Sequence, residues 1–288
     1  MRRIFFLLAL VWCSVSYCGE YYYINESFAT MNANQELDGE VISTPIYGTP
    51  VEIIDESPGY HNIWSYYYIK TPDGECGWTY NDGAIKTDKK YPSTPIVARV
   101  NTRWTFFYSE PNYKSSCDLF VFETALEVVS PEEDLKNQWI QIRDIEGDEY
   151  WVQSSDFVFN SEPLSLEEML KKSMDFIGTP YMWGGTSSFG FDCSGFVQAL
   201  FRLRGIDLPR FARQQAAMDE GIIVPFTDLA PGDLLFFGKE EIRHVGLYLG
   251  DDTFIHATIG EKSRPATIHL SSITDSAWME SFVLARRL

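Results

Sequence analysis

Between residues 38 and 158 the apolar positions come in short β-branched and aromatic runs, broken by turn signals. That pattern predicts small antiparallel strands. The runs occur twice. Val51-Glu52-Ile53-Ile54, Trp64-Ser65-Tyr66-Tyr67-Tyr68-Ile69, Asp73-Gly74-Glu75 and Trp78 form one set. Leu126-Glu127-Val128-Val129, Trp139-Ile140-Gln141-Ile142, Glu146-Gly147-Asp148 and Trp151 form the other. The Asp-Gly and Glu-Gly pairs are hairpin turns, and each set predicts a compact all-β barrel. Residues 20–37, rich in Tyr, Asn and Glu, predict an irregular lead-in.

After Asn160-Ser161-Glu162-Pro163 the period changes from that of strands to that of helices. Ser165-Leu166-Glu167-Glu168 is a capping box and opens a helix that runs to Phe176 and is closed by Gly178 and Pro180. A second helix follows Phe191-Asp192-Cys193-Ser194-Gly195-Phe196, with apolar residues at helical spacing through Leu203 and a stop at Gly205. Past residue 230 the chain predicts strands at 233–237, 244–249, 253–256 and 282–286. Helices first and an antiparallel sheet afterwards make an α+β plan.

Arg2-Arg3 followed by an apolar stretch from Ile4 to Trp12 predicts a secretory signal peptide over residues 1–18, cleaved near Ser16 to Gly19. Trp12 and Tyr17 precede Cys13 and Cys18, where lipid attachment calls for a small residue, and one arginine pair is too little for twin-arginine export. No later segment reaches membrane-spanning length, so an exported protein of the periplasm or cell envelope is expected. The 288 residues suffice for two or three domains, and 45% hydrophobic residues suffice to bury their cores. A net charge of -18 with no Lys/Arg run argues against nucleic acid or an anionic membrane as partner. An oxidising compartment would let Cys76 and Cys117 pair and leave Cys193 unmatched, a connectivity that spacing alone does not give.

Cys193 falls on the first turn of its helix. There unpaired N–H groups and the helix dipole favour a thiolate and can bring its pKa to roughly 3.5–7.5. The alternative is a buried structural cysteine. Gly250-Asp251-Asp252 predicts a turn between two strands carrying His244 and His256. A turn centred on Gly250 sets the two imidazoles directly opposite each other on one face, Cβ atoms about 4.5–5.5 Å apart. A one-residue slip would separate them. A nucleophilic thiol needs a base, and the base an orienting partner; Cys193, His244 and His256 are the candidates. His61 and His269 are expected at the surface without such partners. No zinc-like cysteine spacing occurs.

Tyr181-x-Trp183-Gly184-Gly185, Asp192-Cys193-Ser194-Gly195-Phe196, Leu208-Pro209-Arg210, Pro231-Gly232-Asp233-Leu234, His244-Val245-Gly246 and Phe254-Ile255-His256-Ala257 together resemble the NlpC-type cysteine peptidases, over about residues 164–288. The duplicated strands, at residues 38–92 and 95–159, resemble bacterial SH3-like domains. The resemblance implies a multi-domain chain: two small all-β SH3-like barrels followed by an α+β papain-like NlpC-type catalytic domain. It implies a peptidase acting on peptidoglycan stem peptides or muropeptides, most often at the γ-D-glutamyl–diamino acid (diaminopimelate) bond, in wall remodelling or recycling. Cys193 becomes nucleophile, His244 base and His256 third member. Tyr181 lines the site and helps hold the oxyanion; Asp192 and Ser194 contact the stem. No metal or organic cofactor is implied, and a monomer is expected. The first barrel would lean over the site, with the aromatics from Trp64 to Tyr80 as contacts. Alternatives are cleavage of the sugar–L-Ala bond or of a cross-link, or a non-catalytic wall-binding protein. Ala212 departs from the family, whose close relatives often carry a small hydroxyl residue after the Pro-Arg pair.

Overall fold

In the computed structural model, which describes residues 20–35, 39–58, 65–260 and 265–288, the alternating runs of the first half become two antiparallel sheets of seven described strands each. The expected leader at 1–18 lies outside the described residues, as do His61 and Trp64. The first sheet has the spatial order Val41–Ser43, Met31–Asn32, Cys76–Tyr80, Ser65–Lys70, Pro50–Pro58, Tyr21–Ile24, Ala84–Thr87. The second has the order Ser116–Val121, Trp104–Tyr108, Glu149–Gln153, Trp139–Arg143, Ala125–Val128, Val97–Val100, Phe157–Phe159. Counted by position in each unit the two orders are identical, so the duplication holds at the level of topology.

Two expectations are corrected in this half. The stretch from 20 to 37 is not an irregular lead-in: Tyr21–Ile24 pairs with two other strands, because Tyr23 and Ile24 turn into the core. Cys76 and Cys117 stand on strands of different sheets as free thiols, so the expected pairing is not made.

The two sheets are joined by tyrosines rather than by a flexible linker. Tyr23, Tyr47 and Tyr91 are buried in the same apolar cluster as Leu126, Ile140 and Ile142. Their polar ends are satisfied across the seam: Tyr91 Oη donates to the Arg143 carbonyl at 2.9 Å, and Ile145 N–H donates to Tyr47 Oη at 2.7 Å. A buried phenol needs such a partner.

The last third forms a six-stranded antiparallel sheet in the order Ile222–Val224, Phe282–Arg287, Leu234–Gly238, Ile242–Gly250, Thr253–Thr258, Thr267–Ser272. The Ile222–Val224 and Thr267–Ser272 strands were not expected, being short or polar on their outer face. The capping box forms as read, with Ser165 Oγ accepting from Glu168 N–H and the Glu168 carboxylate accepting from Ser165 N–H. The helix it opens, Leu166–Ser173, tightens into a 3-10 turn over Met174–Phe176. The Cys193–Arg202 helix packs its apolar face on the Ile242–Gly250 and Thr253–Thr258 strands, with Phe196, Val197, Leu200 and Phe201 fully buried against Val245, Leu247 and Ile255.

Both N-terminal sheets dock on this unit through specific polar contacts. Thr44 and Thr186 exchange backbone-to-hydroxyl hydrogen bonds at 3.1 and 2.8 Å. Asp73 and Glu75, from the first hairpin, accept from Gln198 and Gln214 at 3.1 and 2.8 Å. From the second sheet, Glu123 pairs with Arg202. A cleft of about 290 Å³ opens where the three parts meet, but Cys193, His244 and His256 do not line it. Its Glu123, Arg202 and Asp73 are already engaged with one another's elements, so it is a seam between parts.

Candidate active site

Asp192 begins the site. Its φ of -86° and ψ of 176° place it outside the helix, and its Oδ1 accepts from Gly195 N–H at 2.7 Å, an N-cap. Gly195 allows the helix to sit on the Tyr181–Gly185 loop: a Cβ there would fall 2.2 Å from the Gly185 carbonyl oxygen. Cys193 is thereby fixed at the first helical residue, and its Sγ lies 3.9 Å from the Arg243 carbonyl, against the strand segment that carries His244.

Below the nucleophile lies a group of polar side chains that the sequence reading left unassigned. Arg210 is fully buried. Its guanidinium donates to both carboxylate oxygens of Asp192, to Ser194 Oγ at 3.0 Å and, through Nε, to the Ile42 carbonyl at 3.0 Å. Gln215 donates to the Ser194 and Pro209 carbonyls at 3.1 and 2.8 Å. Asp192 and Ser194, expected to touch the substrate, thus spend their side-chain oxygens inside the protein. The Leu208-Pro209-Arg210 motif was the signal for Arg210, since a buried cation demands an anionic partner.

The histidines meet, but by another register than expected. Asp251 and Asp252 both have positive φ (48° and 56°), so the turn is centred on them and not on Gly250. Leu247 pairs with Ile255 and Tyr248 with Phe254. That shifts the pairing by two residues, which keeps His244 and His256 on one face but as diagonal neighbours. Gly246 fills the intervening place; a Cβ there would lie 2.5 Å from the Phe254 ring and 3.3 Å from the His256 Cβ. Without a side chain at 246, His244 Nε2 comes to 2.8 Å from His256 Nδ1.

The chain of contacts continues to Ser271, whose Oγ lies 3.0 Å from His256 Nε2. A base at His244 must offer an unprotonated Nδ1. That requires Nε2–H to donate to His256 Nδ1, and His256 Nε2–H to donate to Ser271 Oγ. Ser271 Oγ can accept in that arrangement, and no sequence motif announced it. His269 is no isolated surface residue: it is the cross-strand partner of His256, ring centroids 5.0 Å apart.

Burial reverses the expected thiol chemistry. It pushes the Cys193 thiol up to about 12, with the Asp192 carboxylate adding to the rise and the Val245 N–H, Arg210 and Ser194 N–H opposing it. It pulls the His244 imidazole down to about 4; Asp192 opposes that and His269 assists it. Desolvation penalises either charged form, and it outweighs the helix terminus. The resting pair is thus a neutral thiol beside a neutral imidazole. The Tyr181 phenol is also raised, first by burial and then by Cys193 and Asp192, so it stays a donor.

A stability prediction follows from His244. Its folded pKa is depressed below the 6.5 of an ordinary imidazole, so between those values the unfolded chain binds more protons and stability falls as pH falls. Melting temperatures measured from pH 7 to 4 should decline less steeply in His244→Gln than in the wild type. Equal slopes would contradict the buried neutral imidazole.

The model of the NlpC/P60 family matches residues 178–287, which contain all six of these candidate site residues. The chain is 31% identical over 222 residues to the gamma-D-glutamyl-L-lysine dipeptidyl-peptidase of Bacillus subtilis (strain 168), covering 76% of this chain and 70% of that one. It is 26% identical over 245 residues to dipeptidyl-peptidase 6 of Lysinibacillus sphaericus, covering 81% and 85%. It shares the fold of a NlpC/P60 family protein from Bacillus cereus ATCC 10987, with a TM-score of 0.77 at 21% identity over 93% of this chain and 99% of that one. With the match extending well beyond the catalytic motifs into the N-terminal sheets, the chain belongs to the NlpC/P60 family.

Proposed function

We propose that this protein is a cysteine peptidase that hydrolyses peptidoglycan stem peptides at the γ-D-glutamyl–diamino acid bond. Cys193 is the nucleophile, His244 the general base and His256 the residue that holds its tautomer. The observation that carries this reading is the 2.8 Å contact between His244 Nε2 and His256 Nδ1, on a strand whose backbone touches the Cys193 sulfur. The name of the gamma-D-glutamyl-L-lysine dipeptidyl-peptidase that matches over most of the chain supports the bond.

As the sulfur attacks the γ-carbonyl of D-glutamate, its proton passes to His244 Nδ1, and a carbon–sulfur bond replaces the carbonyl π bond. The Cys193 N–H, on a helical turn whose donors have no intrahelical acceptor, and the Tyr181 hydroxyl hold the oxyanion. The imidazolium returns the proton to the leaving amine, and the carbon–nitrogen bond breaks. Water then gives its proton to His244 and cleaves the thioester. Proton transfer of this kind contributes about 10²–10⁴ in rate.

The same proposal covers the rest of the molecule. Residues 1–18 are a signal peptide, and the mature chain works as a monomer in the periplasm or cell envelope. The unit expected at 38–92, whose sheet begins at Tyr21–Ile24, and the unit at 95–159 are SH3-like domains, a reading supported by their shared strand order; residues 164–288 are the catalytic domain. Asp73, Glu75 and the Ile42 carbonyl bring the first of these barrels onto the nucleophile's helix and the Arg210 network. The experiment is digestion of defined stem peptides, with and without the glycan, and identification of the new termini by mass. The expected products are a peptide ending in D-glutamate and a diamino acid with a freed α-amine. Cleavage at the sugar–L-Ala bond or at a cross-link would replace this assignment.

A further inference from the structure

Trp278 has no place in the mechanism so far. It sits on the short helix Ser276–Ser281, between the last two strands of the sheet. Its indole lies flat on His244, with ring centroids 5.2 Å apart and planes at 28°. It meets the His256 ring edge-on at 4.9 Å and 90°. Phe237 and Phe254 also touch it, at 4.9 and 5.3 Å.

We propose that Trp278 is a positioning residue for the catalytic imidazole, one that fixes the plane of His244 and stabilises the imidazolium formed when Cys193 gives up its proton. The inference rests on the peptidase reading above. The two imidazoles stand at 81° to each other. Their hydrogen bond needs His244 to keep that plane, and the indole laid against it opposes ring rotation. An indole face is the best aromatic partner for a cation. It therefore acts most strongly on the charged form, which exists only after the thiol proton has moved, as a transition-state interaction must.

Other titratable groups surround His244. Asp192 and Cys193 come from the nucleophile's helix and its cap, His256 from the neighbouring strand and His269 from the strand beyond it. Arg243, on the same strand, is paired with Glu241. Asp275 and Glu280 flank Trp278 in its own helix and cap. Trp278→Phe and Trp278→Leu leave all of these in place, so their differences from the wild type report the indole.

The test uses the full-length protein as wild type, Trp278→Phe and Trp278→Leu. Leucine keeps an apolar plug but has no π face. The first readout is alkylation of Cys193 by iodoacetamide at pH 7, followed on the Cys193 peptide by mass because Cys76 and Cys117 are free thiols too. Trp278→Leu should slow it by about three- to thirtyfold, the range a partly desolvated cation–π contact spans. Trp278→Phe should stay within about threefold of wild type. The second readout is tryptophan emission against pH. An imidazolium quenches an indole in contact with it, so wild type should show an acid-side loss of emission that is missing from Trp278→Phe and from His244→Gln.

Wild-type alkylation in Trp278→Leu, or an acid-side emission loss that persists at full size in Trp278→Phe, would overturn the role. If Trp278→Leu does not fold, the emission of Trp278→Phe and His244→Gln still decides. Turnover that survives Cys193→Ala would instead sink the peptidase reading, a result distinct from either of these.

Discussion

Cys193→Ala is expected to lose stem-peptide hydrolysis entirely while its melting temperature stays within a few degrees of wild type. Everything in the proposed chemistry passes through one sulfur. Removing the nucleophile from a triad of this kind costs about 10⁶ in kcat. The structural cost is small, because alanine keeps the helical residue and the Asp192 cap needs only the Gly195 N–H. The thiol is also a group that burial holds neutral, so no ion pair is broken. Product release followed by chromatography, beside thermal melts of both proteins, reads the two effects separately. A dead and unfolded variant would mean that Cys193 is structural, the alternative its sequence left open.

Arg210→Ala should do the opposite and damage fold and activity together. Among the described residues the guanidinium is the only side chain that binds both oxygens of Asp192, and it also holds Ser194 and the Ile42 carbonyl of the first barrel. Its removal leaves a buried carboxylate short of partners, at a cost of about 3–5 kcal/mol. In a protein of this size that corresponds to a fall of about 6–20 °C in melting temperature. The unpaired Asp192 charge would also push the neighbouring thiol further from ionisation, the direction it already works in. Arg210→Lys should not rescue, since one ammonium cannot reproduce a planar fork. The pair Arg210→Met with Asp192→Leu should recover much of the stability and none of the activity. Thermal melts and turnover of the three proteins check this; a stable, active Arg210→Ala would remove the network from the account.

Much of the site was legible because its signals are local. A helix start is written in Asp192 and the apolar run behind Cys193, and two strands with a turn are written around Gly250-Asp251-Asp252. The register was misplaced by two because Gly250, Asp251 and Asp252 all take positive φ, the Asp pair forms the tip between Gly250 and Thr253, and an irregularity between Tyr248 and Gly250 shifts the ladder once more, none of which the residue types alone decide. An even shift preserves the face, so the histidine pairing survived the error. Thiol acidity was misjudged for a different reason. A helix terminus can be seen in sequence, whereas the depth of burial that opposes it depends on packing by Arg243 to Val245 and the rest of the sheet. Ser271 and Trp278, and the contacts of His269 and Arg210, stayed hidden because each acts from a distant part of the chain, through a contact that spacing does not encode. In the N-terminal half the duplicated strands were legible from their tryptophans and turns. The strand at Tyr21–Ile24 was not, because its partners lie far along the chain, at Pro50–Val51 and Ala84–Thr87.

The most direct measurement is covalent capture of the nucleophile by a substrate mimic. An L-Ala-γ-D-Glu dipeptide carrying an electrophilic ketone in place of the scissile amide would be incubated with the full-length protein and the adduct located by peptide mass. One equivalent is expected at Cys193, with labelling slowed in His244→Gln. An adduct confined to Cys76 or Cys117, or full-rate labelling of Cys193 without His244, would contradict it.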